Sequence, residues 1–123
     1  MSTFEQLVAI RNRRGAGFLP YLDPDRLDKK ALGYTAAVCE ENGADAILIG
    51  GSFLLSTNFD RMVYEVKQAV NVPVIIFPGD TSQISAAADA ILFLSLISGR
   101  NPELLIGQHV KAAPILRAHG LEA

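Results

Sequence analysis

Tryptophan is absent, cysteine occurs once, and no charge of one sign dominates. Each scarcity excludes something. A lone Cys39 has no partner for an intramolecular disulfide and suits a reducing compartment. Eleven Lys and Arg face thirteen Asp and Glu, with three Tyr and six Phe, so the chain lacks the basic, aromatic footprint of a nucleic-acid binder. No apolar run approaches the roughly 18 residues that read as a membrane span. Residues 91–97 are largely apolar but too short, and residues 1–14 mix charges without a signal-peptide core. A cytoplasmic protein is expected, with no transmembrane segment. The phosphate-loop lysine motif, Gly-x-Gly-x-x-Gly and a Ser-His-Asp order are all missing.

What is present is a chain made for a packed core. Half of its 123 residues are apolar, too many for disorder, and the length suits a single domain over residues 1–123. Phe4, Leu7, Val8 and Ile10 mark an amphipathic lead-in helix over residues 3–13, broken by Gly15 and Gly17. An alternation then begins. Residues 18–22 read as a strand and 27–42 as a helix with Ala31, Leu32, Thr35, Ala36, Val38 and Cys39 inward, stopped near Gly43. Residues 46–49 form a continuous apolar run, as buried parallel strands do. Asn58 stands where it would cap a helix that buries Met62, Val63, Val66 and Val70. A strand over 72–77, a short Ala-rich helix over 82–88, a strand over 90–96 and a helix over 102–118 complete the series.

The phrase Ala-Asp-Ala-Ile-Leu occurs at residues 44–48 and again at 88–92, each time with an Asp just before a buried strand. A good helix-to-strand connector explains this without any function. The repeat implies an α/β fold of four βα units with a parallel sheet. A flavodoxin-like sheet closes its core with about that number, whereas a (βα)8 barrel takes eight in about 250 residues. If the strands carry barrel curvature, the chain is half of a barrel, and its inner face and both sheet edges invite association.

Polar loops gather at the carboxyl ends of all four predicted strands, where α/β proteins bind ligands. Asp23 and Ser52 stand on adjacent strand ends, and an aspartate and a hydroxyl so placed can share a hard cation. Asp25 suits a helix N-cap. Gly50 and Gly51 allow backbone to approach a ligand closely. Pro78, Gly79 and Asp80 carry an ordinary turn signature. Arg100 is the single basic residue in the loops after the second to fourth strands and suits a phosphate. His109 and His119, on the last helix, read as structural or surface residues away from this rim.

Four segments now carry a resemblance. Tyr-Leu-Asp-Pro-Asp-Arg at 21–26, Gly-Ala-Asp-Ala-Ile-Leu-Ile-Gly-Gly-Ser at 43–52, Pro-Val-Ile-Ile-Phe-Pro-Gly-Asp at 73–80 and the run from Ile91 to Pro102 come in order and spacing. Together they resemble the first half of the geranylgeranylglyceryl phosphate synthase family, which includes the heptaprenylglyceryl phosphate synthases. The resemblance implies a TIM-barrel prenyltransferase of ether-lipid biosynthesis. That reaction joins C1 of a polyprenyl diphosphate to the free hydroxyl of sn-glycerol 1-phosphate, with Mg²⁺ on the diphosphate. The family's metal ligands fall on Asp23 and Ser52. Tyr21, Phe77, Pro78, Gly79, Asp80 and Arg100 are the expected substrate-binding residues, Tyr21 standing where many members have lysine. The family's glycerol-phosphate loops belong to strands five to eight, so the expected partner is a second copy or a C-terminal half. The other reading is an α/β phosphate-binding or scaffold domain without catalysis.

Overall fold

The computed structural model describes residues 1–51, 54–55 and 58–123. Helix α1 (Thr3–Arg14) begins with a reciprocal cap, in which Ser2 Oγ accepts the Glu5 N–H and the Glu5 carboxylate accepts the Ser2 N–H. It ends at Gly15, whose φ of 86° glycine adopts without strain. Four strands follow, β1 (Tyr21–Leu22), β2 (Ile47–Gly51), β3 (Val74–Pro78) and β4 (Ala90–Ile91). Helices α2 (Leu32–Glu41) and α3 (Phe59–Ala69) connect the first three strands, and α4 (Gln108–His119) follows the fourth.

The sheet order is β1-β2-β3-β4 and every neighbouring pair is parallel. The chain therefore always steps in one direction, and crossovers of one hand place their helices on one face. A flavodoxin-like sheet reverses direction and is covered on both faces. This sheet is instead a segment of barrel wall. The packing agrees: Leu32 of α2, Val63 of α3 and Leu116 of α4 share one buried cluster with Ile49, Ile76 and Ile91. The opposite face holds a smaller cluster of Ala46, Ile75 and Ala90, against which Leu7 of α1 and Leu48 pack. That face is thus not wholly bare, and neither is the β4 edge, where Glu122 makes a parallel bridge to Ala90.

Helix α3 shows the expected burial at Met62, Val63 and Val66, with Val70 following it. Other boundaries differ, for local reasons. Residues 82–88 are turns and irregular backbone rather than helix, because Ser85 Oγ accepts the Ala87 N–H and Asp80 Oδ1 accepts the Ser82 N–H. Strand β4 stops at Ile91 instead of residue 96, since its neighbour β3 ends in Pro78, which has no N–H to lengthen the ladder. The segment before α2 is a 3₁₀ turn (Lys29–Ala31) capped by Asp28, whose Oδ1 accepts the Lys30 N–H. Within α2 only Leu32 and Ala36 are buried, and Val38 is exposed. A π-helical turn (Glu103–Gly107) precedes α4.

The repeated phrase has a repeated structural use. Asp45 Oδ2 accepts the Phe18 N–H at 2.8 Å, and Asp89 Oδ2 accepts the Val74 N–H at 2.7 Å. Each aspartate ties the start of its strand to the preceding neighbour, and each also meets a cation, Arg14 or Lys67.

Candidate functional site

Asp23 follows β1 directly, and its carboxylate is held from below. Oδ1 accepts the Asp25 N–H at 3.0 Å, and Arg26 Nε lies 3.6 Å from Oδ2. On the β2 side stands Gly51, where a methyl group would come within 3.5 Å of Oδ1. Glycine at that position leaves one flank of the carboxylate open. Ser52, the other expected ligand, lies outside the described residues. Asp25 is not a helix cap. Its Oδ2 accepts the Leu55 N–H at 2.6 Å, tying the loop after β1 to the loop after β2.

The end of β2 is pinned by side chains. Gly50 and Gly51 stand in register with Phe77 and Pro78 of β3. The Tyr21 hydroxyl donates to Gly50 O at 2.7 Å, and its ring packs edge-on to Phe77 with centroids 5.7 Å apart. Partial burial, then the negative charge of Asp23, raise the Tyr21 pKa against the pull of Arg26, so the phenol keeps its proton. Gln83 reaches in from the β3–β4 connection with only 1% of its surface exposed. Its Oε1 accepts the Gly51 N–H at 3.0 Å and its Nε2 donates to Gly51 O at 2.6 Å.

Beside this polar end lies an apolar groove of about 410 Å³. Pro78, Gly79 and Asp80 form its edge at β3, Ile84 one wall, and Phe93, His109, Ala112 and Leu116 the wall beyond β4. The His109 ring stacks on Phe93, with centroids 3.9 Å apart and planes at 20°. His109 is therefore on the rim, contrary to the expectation from its place late in the chain. The π-helical turn brings Leu104 to the same groove, and such turns recur at functional sites.

The structure thus brings Tyr21, Asp23 and Phe77 together at the end of β1, β2 and β3, and places Pro78, Gly79 and Asp80 on the groove edge. Arg100 is exposed and does not line the groove. Sequence reasoning missed Gln83 and His109. Neither lies in a motif, and the one available signal for Gln83 was a polar residue beside the apolar Ile84 in a segment read as helix.

Residues 8–120 match the PcrB family. The geranylgeranylglyceryl phosphate synthase of Chitinophaga pinensis is 46% identical over 105 residues, 85% of this chain and 42% of that protein. The enzyme of that name from Flavobacterium johnsoniae is 43% identical over 123 residues, 99% of this chain and 51% of its own. Among solved structures, the (S)-3-O-geranylgeranylglyceryl phosphate synthase of Thermoplasma acidophilum, in complex with its substrate sn-glycerol-1-phosphate, superimposes with a TM-score of 0.90 at 33% identity. The superposition covers 99% of this chain and 49% of that one. This chain spans about half the length of the curated relatives it matches.

Proposed function

The chain belongs to the PcrB family, and on that premise we propose that it forms the diphosphate-binding part of a Mg²⁺-dependent prenyltransferase of ether-lipid synthesis. One observation carries the reading. An open-flanked carboxylate at β1 and β2 lies next to an apolar groove at β3 and β4, on one rim. Gly51, beside Asp23, is in register with Pro78 on the groove edge. Adjacent strands are about 4.8 Å apart, so an anionic head and a long apolar tail can be held by neighbouring strands. A polyprenyl diphosphate is such a molecule.

The residues fit Mg²⁺. Among the described residues no cluster of three or more His, Cys, Asp and Glu groups forms, which argues against a caged transition metal. Magnesium is commonly held by one or two carboxylates with waters and substrate phosphates, and the space left by Gly51 accommodates that arrangement. Asp23 and Ser52 would be its protein ligands. When bound, the cation would offset the charge that gathers on the departing diphosphate.

The rest falls to the chain's own groups. The groove walls, Phe93 and Ala112 among them, take the prenyl tail and keep water from the reacting carbon. The protonated Tyr21 phenol adds no charge beside Asp23. The acceptor hydroxyl of sn-glycerol 1-phosphate bonds to C1 of the prenyl group as the C1–O bond to diphosphate breaks, and the hydroxyl proton is released. The acceptor's identity is supported by the Thermoplasma acidophilum relative solved with it. A second copy or a further half of the barrel would complete the acceptor side.

The test pairs binding with turnover. Geranylgeranyl diphosphate is titrated calorimetrically into the chain with and without Mg²⁺, and transfer to radiolabelled glycerol 1-phosphate is followed with the mass read by light scattering. Tight binding only with Mg²⁺ is expected, with product confined to samples whose mass exceeds a monomer. Absence of binding under both conditions refutes the reading and leaves the scaffold alternative.

A further inference from the structure

We propose that Gln83 is a positioning residue for the cation site, acting through Gly51 on the open flank of Asp23. The inference rests on the function proposed above. Its starting point is the end of the backbone ladder. Gly51 is the last residue of β2 and stands in register with Pro78, the last residue of β3, so the sheet adds no further rung beyond this pair. Both backbone polar groups of Gly51 are met by a side chain there. The carboxamide of Gln83 meets them as a strand would, accepting from Gly51 N at 3.0 Å and donating to Gly51 O at 2.6 Å. The side chain is 1% exposed, so neither of these bonds can be exchanged freely for water, and losing either leaves a buried polar group unsatisfied.

The surrounding residues are shaped to the same contact. Gly50 has a φ of +155°, and a methyl group there would sit 2.9 Å from Gln83 Oε1 and 2.0 Å from Phe77 O. A tight turn, closed by the Gln83 N–H on Asp80 O at 3.2 Å, brings the side chain back toward β2. Gly51 is therefore held from one side by Gln83 while its other side forms the space beside the Asp23 carboxylate. Release of Gly51 lets that space narrow or widen without any change in the ligands themselves.

The experiment uses the full chain, Mn²⁺ in place of Mg²⁺, and geranylgeranyl diphosphate, with bound Mn²⁺ read by electron paramagnetic resonance. Gln83→Met keeps the volume and removes both hydrogen bonds. Gln83→Asn keeps a polar group but withdraws it, and covers the case in which the first variant does not fold. Both are expected to raise the half-saturating Mn²⁺ concentration about 10- to 100-fold, as loss of groups that orient a metal site does. Binding of the prenyl diphosphate without metal should not change. A folded variant with a lower melting temperature but wild-type Mn²⁺ binding makes Gln83 merely structural and overturns the proposal. A wild-type chain that binds no Mn²⁺ with the diphosphate overturns the proposed function and this inference with it.

Discussion

Replacing Asp23 by asparagine separates the fold from the site. The change is nearly isosteric, and the amide oxygen can still accept the Asp25 N–H now bonded to Oδ1 at 3.0 Å. The carbonyl of residue 23, which accepts from Arg26 and Leu27, is untouched. What the fold loses is the pair with Arg26, at 3.6 Å and with the arginine side chain 87% exposed. A solvent-facing pair of that kind contributes less than about 1 kcal/mol. In a chain of this size that corresponds to a melting shift of no more than about 4 °C. What the site loses is the carboxylate proposed to hold the cation. Groups that only support a metal ligand cost about 10- to 100-fold when removed, so a ligand itself should cost at least about 100-fold, or about 2.8 kcal/mol. Scanning calorimetry and titration of geranylgeranyl diphosphate at saturating Mg²⁺ measure the two quantities on one sample. A small melting shift with a large loss of Mg²⁺-dependent binding is expected. Unchanged binding refutes Asp23 as the ligand, and a melting drop of about 10 °C or more, well beyond what an exposed pair can supply, refutes the separation of roles.

Three further perturbations probe other parts of the molecule. Gly50→Ala should cost about 3 kcal/mol or more in urea unfolding, because the added carbon overlaps Phe77 O at 2.0 Å in a backbone conformation that disfavours side chains; a loss under about 1 kcal/mol would contradict the register of β2 on β3. Ala112→Trp, on the wall of the groove, should shift binding from geranylgeranyl toward shorter prenyl diphosphates, and unchanged affinity for the long chain would remove the groove as the tail site. Glu122 accepts the N–H groups of Phe4 and Thr3 at the start of α1, and these bonds hold its pKa below the usual glutamate range. With a depressed folded-state pKa, its contribution is present above the unfolded value and is lost as pH falls through the folded one. Glu122→Gln should therefore lower the melting temperature at neutral pH and flatten its fall in acid; an unchanged neutral value would show that the cap contributes nothing.

Much of the fold was legible from local pattern. Met62, Val63, Val66 and Val70 announced a helix face because burial on a helix repeats every three to four residues. The apolar run at 46–49 announced a buried parallel strand, and the polar residues after it marked where that strand ends. Asp23 could be singled out because its place follows from where a strand stops. The resemblance carried by four ordered segments then led to the family that residues 8–120 match.

Other features were decided by residues far apart in the chain. Whether four βα units form a flavodoxin-like sheet or a barrel wall depends on strand order, which no periodicity records. Gln83 acts on Gly51 across 32 positions, and Asp25 on Leu55 across 30. His109 joins the rim by stacking on Phe93. The last residues of β2 say nothing by themselves about which side chain will meet their backbone groups. Apolar spacing and turn chemistry are properties of a few consecutive residues, so the sequence determines them directly. The pairing of those backbone groups is a property of whatever the folded chain brings to them, and only the tertiary structure brings Gln83 there.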